Sequence, residues 1–247
     1  MKTTRLDDLS IPVDLYICGQ PEALLIQPLE RKEMATIGHE VSLITRHTGR
    51  PFAMAAFKIE DWHLQLTPWH DDAISRREEV GQHAAETLRF ITDELLPRVN
   101  SLLGDLYAAA DDMPAVLGGY SLAGLFSLWA STLSNAFQGI AATSPSVWIR
   151  DWQAYARSHP TQSQVVYMSL GRKEEHVRNV SMSRVGANIR FEQQLLEHQL
   201  GPDNTTLQWN EGGHFDHMDA RTAQAYAWTL NKLHALRKSE RPRRLTR

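Results

Sequence analysis

Ala115-Val116-Leu117-Gly118-Gly119-Tyr120-Ser121-Leu122-Ala123-Gly124 is the stretch that decides the fold. Residues 115–118 are a short apolar run that reads as a buried strand. Leu122–Leu133, almost free of charge, is long enough for a helix buried on more than one side. Between the two, residues 119–123 spell Gly-x-Ser-x-Ala. This is one small residue away from the Gly-x-Ser-x-Gly turn that lifts a nucleophilic serine to the edge of a sheet. The letters alone arise by chance in roughly one or two of ten chains of this length. Their position between strand and helix is what gives them weight, and strand and helix nearly touch at such a turn, so residues 119 and 123 must be small.

Outward from this turn the chain keeps alternating. Upstream, residues 23–27 read as a strand, 33–48 as a helix ended by Gly49, and 52–59 as a strand. An irregular stretch then runs to about residue 82, and 84–103 reads as a helix with Leu88, Ile91, Leu95 and Leu96 at helical spacing. Downstream, strands are predicted at 137–142, 165–170 and 205–209, and helices at Val185–Leu200, stopped by Gly201-Pro202, and at 220–236. Residues 144–163 read as irregular. Strands separated by helices imply parallel crossovers. The expectation is a three-layer α/β domain around a mostly parallel sheet, with its chemistry in loops beyond the carboxyl ends of the strands.

The chain's 247 residues suit one domain, taken as 1–236, and neither a repeat nor a linker divides it. With 42% hydrophobic and 22% charged residues it is not a disordered chain. A single cysteine, Cys18, excludes a disulfide framework and a multi-cysteine zinc site. The first residues carry no apolar run behind their charges, and no stretch reaches about 18 apolar residues, so a cytoplasmic protein without membrane contact is expected. Net charge is −3, but residues 237–247 set Arg237, Lys238, Arg241, Arg243, Arg244 and Arg247 against Glu240 alone. This basic tail is read as a flexible, solvated extension, and no nucleic-acid partner is assigned. The oligomeric state is left open.

A serine hydroxyl stays protonated at neutral pH and needs a base. Of 11 histidines, His214 follows the strand-like run 205–209 and Gly212-Gly213 and precedes the last helix, which puts it at the same sheet edge as Ser121, with His217 its rival. The loop after residues 165–170 begins Gly171-Arg172-Lys173-Glu174-Glu175. Glu174 is taken as the carboxylate that orients the base, with Glu175 and then Asp216 as alternates. The chain order Ser, acid, His is that of the α/β-hydrolases. An oxyanion needs backbone donors, expected from Leu122, directly after the serine, and from Trp62, just past the strand 52–59.

At these residues the chain resembles the Putative-esterase branch of the α/β-hydrolases, the group of S-formylglutathione hydrolase (esterase D), feruloyl esterases and siderophore esterases. The resemblance covers about residues 14–233. It rests on Asp61-Trp62 with Leu66-Thr67-Pro68-Trp69, Gly119-Tyr120-Ser121-Leu122-Ala123-Gly124, Ser144-Pro145-Ser146-Val147-Trp148, Ser169-Leu170-Gly171 with Glu174, and Gly212-Gly213-His214-Phe215. It implies a cofactor-free serine carboxylic-ester hydrolase with Ser121, Glu174 and His214 as its triad.

Three rival readings use the same residues differently. A metal hydrolase would draw on His70, Asp71, Asp72, His214, Asp216 and His217, but no compact ligand motif is present, and the expectation is no metal. A binding module would keep the fold without turnover, and an acyltransferase would pass the same acyl-enzyme to another acceptor. The expected partner is a small or medium soluble ester. Trp62, Trp69, Trp148 and Trp152 fall in loops that could surround Ser121, and Trp69 and Trp148 are the candidates for its pocket, with ordinary packing as the alternative.

Overall fold

The computed structural model describes residues 1–77, 79–107 and 113–240. Its eight-stranded sheet comprises β1 (Lys2–Leu6), β2 (Val13–Cys18), β3 (Leu24–Leu29), β4 (Phe52–Lys58), β5 (Ala115–Tyr120), β6 (Gly139–Thr143), β7 (Val165–Gly171) and β8 (Thr205–Asn210), in spatial order β1-β2-β4-β3-β5-β6-β7-β8. β1 and β2, and β2 and β4, pair antiparallel; from β4 through β8 every pairing is parallel. The mostly parallel sheet expected from the alternation is present.

Helices cover both faces, and the strands show why. Along β4, Ala53, Ala55 and Phe57 join the core under α4 (Ala84–Arg89), α5 (Leu96–Tyr107), α6 (Leu122–Leu133), α7 (Trp152–Ser158) and α8 (Val185–Leu200). Phe52, Met54 and Ala56 join the opposite core, under α2 (Ile37–Thr48) and α9 (Met218–Glu240). A strand buried on both faces has no polar side, so it reads as an unbroken apolar run.

The expected elements need several corrections. β1 was not anticipated, because most of its side chains face solvent at the sheet edge. β2 was missed although Val13, Leu15 and Ile17 alternate with Asp14 and Tyr16. The expected helix 33–48 is two pieces, α1 (Arg31–Met34) and α2. The irregular stretches hold α3 (Trp62–Leu66) and α7, and α9 continues past residue 236 to Glu240, so the start of the basic tail is helical. Residues 241–247 lie outside the described residues. The expected helix 84–103 contains a widened π turn, Phe90–Leu95, between α4 and α5. Pro97 is the physical cause, since it has no N–H to offer the Asp93 carbonyl and its ring crowds that turn.

The order of the strands also locates a cleft. From β3 the chain moves outward to β4, then returns to the far side of β3 as β5, which makes the β3–β5 boundary a topological switch point. These two strands pair only from Leu24 opposite Ala115 to Ile26 opposite Leu117. Beyond Leu117 they part, and the carboxyl end of β5 leads directly to Ser121.

Candidate active site

Ser121 stands between β5 and α6 with φ 59° and ψ −115°, a conformation L-residues rarely adopt. Bonds from both sides fix it there. Its N–H donates to the Thr143 carbonyl at 3.0 Å, and its own carbonyl accepts from the N–H groups of Leu125 at 3.0 Å and Ser146 at 3.1 Å. The turn is as crowded as expected, because a Cβ on Gly119 would lie 2.5 Å from that of Ala123. The Ser121 hydroxyl is half-buried and lies 3.3 Å from Ser146 Oγ.

His214 comes from the loop between β8 and α9. Its Nε2 is 3.0 Å from Ser121 Oγ, and its Nδ1 is 2.7 Å from Glu174 Oε2. A carboxylate only accepts, so Nδ1 carries the proton and Nε2 is left to accept from the serine. The backbone carbonyl of His214 accepts from the Tyr120 hydroxyl at 2.7 Å. Burial pushes the Tyr120 phenol up to about 12, which keeps it a donor. His217 is exposed, with φ 54°, and its carbonyl accepts from the Arg221 N–H in the first turn of α9.

Glu174 is buried just after β7. Its Oε1 accepts from the Gly171 N–H at 2.7 Å, Ser144 Oγ at 2.7 Å and Arg221 Nη2 at 3.1 Å. Burial opposes its charge, yet the hydrogen bonds from His214, Ser144 and Gly171 outweigh that opposition and hold the carboxyl below the ordinary carboxylate range. Gly171 must be glycine for this approach, since a Cβ there would come within 2.8 Å of Glu174 Oε1. Glu175 points elsewhere. Arg190 grips it at 2.7 and 2.9 Å and, by that hydrogen bonding, lowers its carboxyl. Asp216 accepts from the Gly213 N–H at 2.7 Å and so shapes the His214 loop.

Asp61 caps α3 by accepting from the N–H groups of His63 and Leu64. Arg77 bonds it at 2.6 and 2.8 Å and draws its carboxyl down to about 2. Trp62 opens α3, and Leu122 opens α6 against which α3 packs. Both N–H groups therefore belong to helix first turns, which have no acceptor within their own helix. Trp69 is engaged in packing: its ring stacks on Trp152 at 6.1 Å and lies 5.0 Å from Tyr155, while Nε1 donates to the Arg150 carbonyl. Trp148 is half-buried against the main core, whereas Phe215, edge-on to His214 at 5.0 Å, is 80% exposed. His70 bonds Asp72, and Asp71 accepts from the backbone of Ala73 and Arg150. Among the described residues no three His, Cys, Asp or Glu side chains group as metal ligands.

Sequence reasoning missed Arg221 and the bonding of Ser144 and Tyr120. The last two lay within motifs already singled out. A lone arginine at a helix start gives no sign of burial.

Chemically, the chain Ser121 Oγ, His214, Glu174 can move a proton off a hydroxyl while a carboxylate steadies the imidazole. A family model described as Putative esterase matches residues 42–227. Among solved structures, the chain is similar to siderophore hydrolase EstB from Aspergillus nidulans, at 15% identity and TM-score 0.68 over 92% of this chain and 93% of that one. It is similar to an IroE-like serine hydrolase from Shewanella oneidensis, at 14% identity and TM-score 0.68 over 94% and 79%. Similarity extends to the enterobactin esterase FES from Shigella flexneri, solved with 2,3-di-hydroxy-N-benzoyl-glycine, at 16% identity and TM-score 0.63 over 96% and 60%. At these identities the likeness speaks for the fold. No match is found among curated proteins.

Proposed function

Because this chain belongs to the Putative esterase family and is a carboxylic ester hydrolase, we propose that it works through an acyl-enzyme on Ser121, with His214 as base and acid and Glu174 as the orienting carboxylate. The observation that carries this reading is the unbroken contact from Ser121 Oγ through both ring nitrogens of His214 to Glu174 Oε2. His214 Nε2 takes the Ser121 proton as Oγ bonds to the ester carbonyl carbon. The carbonyl oxygen becomes an oxyanion, met by the N–H groups of Leu122 and Trp62. Collapse breaks the bond to the alcohol oxygen, which receives the proton from His214. A water then adds to the acyl carbon, giving its proton to Nε2. Collapse of that second intermediate releases the carboxylic acid and returns the proton to Ser121. Glu174 remains ionised throughout, and its depressed pKa suits that role.

The substrate is a small or medium soluble ester. His214 is 29% exposed and Ser121 half-buried, so water has access to the acyl-enzyme, which favours hydrolysis over transfer to another acceptor. Exposed Phe215 beside His214 offers an apolar or aromatic acyl group a surface to lie on. Labelling with a fluorophosphonate, followed by peptide mapping and a panel of aliphatic and aromatic esters, tests the reading. The adduct is expected on Ser121, with aromatic acyl esters turned over at least as fast as acetate. An adduct on another residue would overturn it.

A further inference from the structure

We propose that Arg221 is a positioning residue for ester turnover, holding Glu174 and the His214 loop in a single arrangement; this rests on the triad reading above. Arg221 lies near the start of α9 and is 4% exposed. Nη2 donates to Glu174 Oε1 at 3.1 Å and also to Ser144 Oγ, which itself donates to the same carboxylate oxygen. Nη1 donates to the Tyr120 hydroxyl at 2.6 Å and the Gly213 carbonyl at 3.2 Å. The Tyr120 hydroxyl in turn donates a hydrogen bond to the His214 carbonyl. One planar group thus joins the end of β5, the turn after β6, the turn after β7 and the loop after β8, the segments that deliver Ser121, Ser144, Glu174 and His214.

Two features mark the arrangement as built for this. Ser144 sits at φ 43°, a left-handed conformation unusual for serine, which turns its hydroxyl between Arg221 and Glu174. A rigid fork is also required: lysine has the charge but cannot reach in two fixed directions at once. The ionisable groups facing the guanidinium are Glu174 and His214 from their loops, Tyr120 from β5, Tyr167 from β7 and Asp216 beside Gly213. Set behind Glu174, the cation answers part of the carboxylate charge that His214 would otherwise face alone. Without it, less positive charge offsets the Glu174 carboxylate, and the acidic limb of the kcat/KM profile is expected at higher pH.

The test is steady-state kinetics on a small activated ester from pH 5 to 9 for the wild type, Arg221→Met and Arg221→Lys, each checked for folding by circular dichroism and for fluorophosphonate labelling. Arg221→Met is expected to lower kcat about 10- to 100-fold, the scale of a small misplacement of catalytic groups. KM should stay within about threefold, and the acidic limb should rise by at least about half a pH unit. Arg221→Lys keeps the charge and loses the fork, so kcat falls about tenfold with the limb unmoved. A folded Arg221→Met with kcat within twofold of wild type, or with an unmoved limb, overturns the proposal. If that variant does not fold, Arg221→Lys decides, and kcat within twofold of wild type is the refuting result. Wild-type protein unlabelled at Ser121 would remove the triad reading and this proposal with it, whereas labelled protein with undiminished Arg221 variants removes this proposal alone.

Discussion

Glu192 is expected to make the protein less stable as pH rises, and Glu192→Gln to abolish that loss. The side chain lies on α8, 5% exposed, and accepts from Trp152 Nε1 at 2.9 Å. Leu128, Ala156 and Leu196 share its surroundings. Burial drives its carboxyl from 4.5 up to about 7, although the Trp152 bond pulls the other way. A carboxyl with a raised pKa in the folded state holds its proton more tightly there than in the unfolded chain. Its contribution is therefore fully present below about pH 4.5 and is lost as pH climbs through about 7. Between pH 5 and 8 that loss amounts to roughly 2–3 kcal/mol. Glutamine can still accept from the indole and cannot ionise, so it lacks this term. Any fixed cost of the amide appears equally at both pH values, and other titrating groups such as buried Glu40 cancel in the comparison. Urea titrations of both proteins at pH 5 and pH 8 measure the effect. From pH 5 to 8 the variant should gain roughly 2–3 kcal/mol relative to wild type. A relative gain under about 0.5 kcal/mol would mean that Glu192 titrates near its ordinary value and that the burial reasoning is wrong.

Other expectations concern the active site directly. Ser121→Ala and His214→Ala should each lower kcat by several powers of ten, and the double variant should be no worse than either, because in the proposed mechanism the two act as one unit; additive losses in ester kinetics would contradict this. Glu174→Gln should reduce kcat by about two to four powers of ten, whereas Glu175→Gln, which loses only a partner of Arg190, stays within about threefold, and an inverted pattern would reassign the acid. Gly119→Ala sets a methyl 2.5 Å from Ala123 Cβ and should destabilise by about 1–3 kcal/mol while displacing Ser121, so a calorimetric Tm unchanged to within about 1 °C would show that the turn has room to spare.

What was legible in the sequence follows from burial. β3 to β7 are enclosed on both faces and announce themselves as apolar runs, and the strand-end loops then gave Ser121, Glu174 and His214 as candidates in an order set by topology. β1 and α7 announce less, being an exposed edge strand and a single short amphipathic helix. The three-residue spacing from Gly171 favours Glu174 over Glu175, but which of two adjacent identical carboxylates turns inward is fixed only by the folded turn. Arg221 was out of reach for a deeper reason: its partners come from four separated stretches of chain, and only the assembled sheet brings Tyr120, Ser144, Glu174 and Gly213 around one guanidinium.

The π turn before Pro97 sets the phase of the longest helical segment on its face of the sheet. Thr87, Ile91, Leu95, Val99 and Leu103 are all buried, and they recur every four residues. In an uninterrupted α-helix a four-residue interval oversteps the turn by roughly 40°, so such a stripe would wind steadily away from the sheet. A turn closed by i→i+5 bonds advances less per residue and takes back part of that overstep in the middle of the segment. The proline therefore acts as a phase corrector, allowing an interval that suits no straight α-helix to keep one line of side chains against the core from which Ser121 is presented.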